Sequence, residues 1–183
     1  MEKAKNSSAW TEAGYDLFAN EGMEGIQIER LARILGLNKS GFYHYFGDLD
    51  GYYAALLKLH VKRADLFLDG IREAKAIEPD YLELLIRFKV PMMFQMQMIR
   101  VKNNMAFNAL AEAIDRKEDI LLSKLWCDYL GVGNHSDLYI RFFSIVRDKF
   151  YARISFQNYT YQFLQDLLAE AKVLISQLVI QSA

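Results

Sequence analysis

Apolar residues in the first part of the chain recur with the period of a helix. Trp10, Ala13, Gly14, Leu17 and Phe18 stand at i, i+3, i+4, i+7 and i+8, which places them on one face. Ser7 or Ser8 is positioned to cap the start of this helix, and Gly22 and Gly25 end it. Ile28, Leu31, Ala32 and Leu35 repeat the spacing over a short second helix. Gly36 follows at once, a residue that accepts a left-handed C-terminal turn without a Cβ clash. Asn38 opens a third short helix that runs to about Tyr45, and Asp48 caps a fourth, predicted from Leu49 to about Ala76.

Glu78-Pro79-Asp80 marks the next boundary. The fifth helix is predicted over 81–102, with Pro91 inside it as a kink. Asn103-Asn104 breaks the pattern. A sixth helix is predicted over 105–114 and a seventh over 117–130, with Asp115, Glu118 and Asp119 as a solvated helix start. Gly131 to Asn134 reads as a loop, and two long helices remain, about 136–156 and 159–181. No segment sustains a period of two. The expected fold is therefore all-α with about nine helices: a three-helix head in residues 1–48 and a helical body in residues 49–183.

Composition narrows the picture further. With 183 residues, 52% of them hydrophobic, the chain is long enough for a small head and a well-filled body. One cysteine, Cys127, cannot form an internal disulfide, and a cytoplasmic, reducing setting is expected. The polar first eight residues carry no secretion signal. Arg87 and Lys89 interrupt one apolar stretch, and Arg147, Lys149 and Arg153 another, so no membrane span and no membrane partner is expected. Net charge is −1, and residues 1–50 hold five Lys/Arg against eight Asp/Glu. A nucleic-acid-binding head usually carries a basic footprint, so cations must cluster in space if this head binds DNA.

Helix, helix, tight turn, helix in residues 9–46 is the spacing of a helix-turn-helix. Trp10, Leu17, Phe18, Ile28, Leu31, Leu35, Leu37 and Phe42 supply a small core that would fix the third helix. On a helical wheel Lys39, Ser40, Tyr43 and His44 share one arc, with Phe42 and Tyr45 opposite. A cation, a hydroxyl, a phenol and an imidazole suit phosphate oxygens and base edges. Asn38, Lys39 and Ser40 also stand at the helix N-terminus, where free backbone N–H groups favour an anion.

The run Gly36-Leu37-Asn38-Lys39-Ser40-Gly41-Phe42-Tyr43-His44-Tyr45-Phe46 resembles the recognition-helix signature of the TetR family, and Trp10, Ala13, Leu17-Phe18, Gly22 and Leu31-Ala32 match its upstream spacing. The resemblance covers roughly the first 55 residues. It implies a homodimeric transcription regulator, usually a repressor, that binds double-stranded operator DNA. At the matching positions it implies that Lys39, Ser40 and His44 approach the major groove and that Tyr43 contacts a phosphate. Gln27 stands where the family often has a Ser or Thr that caps a helix and touches the DNA backbone. Leu49 stands where the family often has a lysine, so one phosphate contact is missing.

The resemblance also implies a small-molecule effector, bound in the body, that releases the operator. Phe88, Met92, Met96, Phe107, Trp126 and Tyr129 are the candidate lining, and their chemistry points to a hydrophobic effector. The same residues at helical spacing also serve as ordinary core. The last two helices carry a second apolar surface, with Phe142 and Ile145 on one and Phe163, Leu167, Leu174 and Leu178 on the other. Two such helices from each subunit can form a four-helix dimer interface that sets two recognition helices at half-site spacing. An alternative is a helical, dimeric ligand- or protein-binding module with weak or lost DNA binding, favoured by the acidic head and Leu49.

Enzymatic chemistry is not expected. His44, His60 and His135 are far apart and make no metal-ligand spacing, Cys127 has no neighbouring base, and no Gly-rich phosphate loop is present. Neither cofactor nor metal is implied.

Overall fold

The computed structural model describes the backbone of residues 2–101, 103–131 and 136–181, with side chains described for 6–101, 103–131, 142 and 144–174. Among these residues there is no strand, and there are nine α-helices. They are α1 (Glu2–Glu21), α2 (Ile28–Leu35), α3 (Lys39–Phe46), α4 (Leu49–Glu73), α5 (Leu82–Arg87), α6 (Lys89–Arg100), α7 (Met105–Leu130), α8 (Ser136–Arg153) and α9 (Tyr161–Gln181).

The helix total agrees with the sequence pattern, but the partition differs in three places. First, α1 begins at Glu2, and Ser7 lies inside it, its carbonyl accepting from Thr11 Oγ1 at 3.0 Å. Secondly, the long fifth helix is split. Pro91 lacks the N–H that would bond the Arg87 carbonyl, and its ring would clash there. The helix stops at Arg87, Phe88 leaves helical geometry (φ −98°, ψ 27°), and Pro91 sits in the first turn of α6, where no N–H is missed. Thirdly, the expected sixth and seventh helices are one. Residues 105–130 contain neither Gly nor Pro, and Asn104 Oδ1 caps their start by accepting from Phe107 N at 3.1 Å.

The chain divides into two compact units, Met1–Leu66 with Val90–Ala111, and Phe67–Lys89 with Glu112–Ala183. The reason lies in aromatic packing. Phe94 of α6 stacks on Tyr15 of α1 (4.2 Å between ring centroids, 8° between planes), and Phe107 of α7 meets Phe18 edge-on at 5.5 Å. Residues 49–66 and 90–111 thus complete the core of the head.

Within the first unit Trp10, Tyr15, Phe18, Leu31, Phe42 and Tyr52 are fully buried. Leu17, Ile28, Leu35 and Leu37, expected in the same core, are only half-buried. Tyr52 crosses α1 at Gly14, and its hydroxyl donates to the Trp10 carbonyl at 2.6 Å. A Cβ on Gly14 would lie 1.7 Å from that hydroxyl oxygen, so only glycine admits the crossing.

The second unit is organised around α7 and α8. Glu118 is buried, and the Tyr81 hydroxyl donates to its Oε1 at 2.6 Å. Arg147 of α8 pairs with Asp119 and with Asp115. The expected solvated start at Asp115, Glu118 and Asp119 is therefore a largely buried charge cluster, made possible by the arginine that α8 brings across. Burial pushes the Glu118 carboxyl up to about 7. The α8–α9 corner is tied down separately. The Lys89 ammonium donates to the carbonyls of Phe156 (2.7 Å) and Tyr159 (3.5 Å), and the Tyr159 hydroxyl donates to Leu85 O at 3.1 Å.

Candidate nucleic-acid interface

The recognition segment is built by two turns. Gly36 takes a left-handed conformation (φ 64°, ψ 28°) and its N–H closes the end of α2 on the carbonyls of Ala32 and Arg33. Asn38 then caps α3, its Oδ1 accepting from Gly41 N at 3.0 Å. The buried Phe42 anchors α3, packed edge-on against Trp10 at 5.4 Å and against Tyr52 at 4.9 Å.

With Phe42 inward, Lys39, Ser40, Tyr43 and His44 are all exposed, Tyr43 at 53%. Tyr45, expected opposite them, is half-buried. One flank of this arc opens on a groove of about 320 Å³ lined by Asn6, Trp10, Leu37, Ser40, His44 and Tyr45. A helix held from behind with donors on its outer face is the geometry that reads a DNA groove. Residues 11–55 match the family model for bacterial regulatory proteins, tetR family. The head is a TetR-family DNA-binding domain. The all-helical chain that carries it is a TetR-type DNA-binding transcription regulator. No curated protein and no solved structure matches the chain. Among the described residues no helix is long and apolar enough to cross a membrane.

The remaining contact candidates of this TetR head lie as follows. Gln27 is exposed at the N-cap position of α2 (φ −121°, ψ 119°) and makes no side-chain cap; its Nε2 donates to Glu24 O at 3.4 Å. Leu49 is exposed at the first position of α4. Three cations of the first unit are held by its own acids: Lys39 by Glu29 at 2.7 Å, Arg30 by both oxygens of Glu21, and Arg63 by Glu12. Sequence reasoning missed these pairs, because the spacings of nine, ten and 51 residues are set by tertiary structure.

The candidate effector residues fall in both units. Met92, Met96 and Phe107 are buried in the first, with Phe107 wedged against Phe18 and Tyr53. In the second, Trp126 is buried and meets Tyr129 edge-on at 5.9 Å, while Phe88 packs on Phe67 at 5.5 Å. Among the dimer candidates, Phe142 and Leu167 are buried within the single chain, Phe163 and Leu174 are half-buried, and Ile145 is 53% exposed. Leu178 lies outside the residues whose side chains are described. Val173, not anticipated from the pattern, is 56% exposed.

Sequence reasoning also missed a buried polar chain in the first unit. The Tyr15 hydroxyl lies 2.7 Å from His60 Nδ1, His60 Nε2 lies 2.9 Å from Gln95 Oε1, and Gln95 Nε2 donates to Ala111 O at 3.0 Å. His60 and Gln95 are almost fully buried. A histidine among apolar residues on α4 was the available signal.

Proposed function

We propose that this regulator is a cytoplasmic homodimeric repressor whose hold on operator DNA is released by a small hydrophobic effector. The observation that carries it is the outward arc of Lys39, Ser40, Tyr43 and His44 on a helix anchored by the buried Phe42. Two such arcs, related by a two-fold axis, would reach half-sites about one helical turn of DNA apart. Exposed Ile145 and Val173, on α8 and α9, are apolar positions that a second copy would cover. Met92, Met93, Met96 and Met98 form a buried row on α6, and their flexible thioethers can re-pack around an apolar guest. Effector and operator would prefer different arrangements of the two heads, so each weakens the other by the same factor. No catalytic role is assigned.

The test is a binding titration with DNA from upstream of the protein's own gene at two salt concentrations. Tight, sequence-selective binding that weakens steeply with salt supports the repressor. The self-paired cations of the head favour a second reading, a dimeric binding module with weak DNA affinity. Equal, feeble binding to every duplex would select that one. Sedimentation of wild type and of Ile145→Asp tests the dimer: a dimeric wild type and a monomeric variant are expected, and a monomeric wild type overturns it.

A further inference from the structure

Lys39 is the single Lys or Arg on α3. Its ammonium donates to Glu29 Oε1, on the first turn of α2, at 2.7 Å. Both side chains are mostly exposed, 53% for Lys39 and 70% for Glu29, so the pair lies on the surface, where it can open. The pairing lowers the Glu29 carboxyl and raises the Lys39 ammonium from their ordinary values.

We propose that Glu29 is an affinity-limiting residue of the DNA-binding head, acting by holding the Lys39 ammonium away from the phosphates and base edges it would otherwise meet. This rests on DNA binding by the head. For Lys39 to reach DNA it must leave Glu29. The exchange trades one ion pair for another, and the carboxylate left behind draws a cation back from solution. One counterion fewer is then released on binding than the recognition helix could release. The same device recurs twice more in the head, at Glu21 with Arg30 and at Glu12 with Arg63. Only at Glu29 does it act on the helix that faces the groove. The acidity of the head thus has a specific consequence: the one Lys or Arg on its outward helix is present but occupied.

The experiment compares wild type, Glu29→Gln, Lys39→Ala and the double variant, binding the upstream duplex and a random-sequence duplex over a range of salt concentrations. Glu29→Gln should bind both duplexes about two- to fivefold tighter, the size of an exposed ion pair. The slope of log K against log salt should steepen by about one, the increment for one more neutralised phosphate. In the Lys39→Ala background the same substitution should change neither. Unchanged affinity and slope for Glu29→Gln would overturn the proposal. A gain that persists without Lys39 would overturn it too, since Glu29 would then act by simple repulsion of DNA. Absence of binding by all four proteins at the lowest salt would remove DNA binding itself, and the proposal with it.

Discussion

The Tyr15 hydroxyl donates to His60 Nδ1 across 2.7 Å, and this contact joins α1 of the head to α4. Its direction follows from the far end of the chain. Gln95 Nε2 is committed to the Ala111 carbonyl, so Gln95 Oε1 must accept from His60 Nε2–H. Nδ1 is then the acceptor, and Tyr15 is its donor. The imidazole is neutral, in one tautomer, and stacked on Phe94 at 4.6 Å.

Burial depresses the His60 imidazole to about 4, from an ordinary value of 6.5. Between those two pH values the unfolded chain takes up a proton that the folded chain refuses. Stability therefore falls as pH drops through the window from about 6.5 to 4, by about 3 kcal/mol in all. Denaturant titrations at pH 7 and pH 4.5 should show the loss in wild type. In His60→Gln, which has no titrating ring, the difference between the two pH values should shrink.

Glu118 acts with the opposite sign. Its carboxyl is raised to about 7 from 4.5, so in that window the folded chain holds a proton that the unfolded chain has lost. Its contribution is full below about pH 4.5 and is lost as pH rises through 7. Glu118→Gln keeps an oxygen for the Tyr81 hydroxyl and never ionises. It should raise the melting temperature at pH 8 and have little effect at pH 5. Equal shifts at both pH values would show that the cost lies elsewhere.

Gly14→Ala should be disruptive despite the helix propensity of alanine. The added methyl would meet the Tyr52 hydroxyl oxygen at 1.7 Å, displacing the ring from its bond to Trp10 O and from Phe42. Overpacking of this kind costs about 1–3 kcal/mol. Tyr52→Phe alone should cost less, and combined with Gly14→Ala it should recover part of the loss, because the colliding oxygen is gone. Thermal melts of the three variants check this.

On α3, Tyr43→Ala should weaken DNA binding by a similar factor for all sequences while leaving the melting temperature near wild type, since Tyr43 is 53% exposed, with its ring edge-on to Phe42. Changes at His44 should alter sequence preference instead. Normal operator binding by Tyr43→Ala at physiological salt would remove Tyr43 from the interface.

The head was legible in the sequence because its determinants are local. Gly36 marks a left-handed corner, Asn38 caps α3, and Phe42 turns inward while Lys39, Ser40, Tyr43 and His44 share the outward arc. The polar interior was not legible. His60 and Gln95 are 35 residues apart, and Glu118 meets Tyr81 across 37. Glu118 carried the pattern of a surface acid, and its burial is made tolerable by the Tyr81 hydroxyl and by the Arg147 charge that α8 brings near. Pro91 was recognised as a disturbance, but its effect falls a turn earlier, at the carbonyl it cannot bond.

The clasp of Lys89 on the Phe156 and Tyr159 carbonyls has a chemical peculiarity. Its acceptors are peptide oxygens, which do not protonate in the acid range where carboxylates do. Burial raises the Asp119 carboxyl from its ordinary value, and protonating it would loosen its pair with Arg147 but remove no partner from this ammonium. The corner joining α8 to α9 is thus an acid-fast staple, which should hold under acid that loosens the arginine from Asp119.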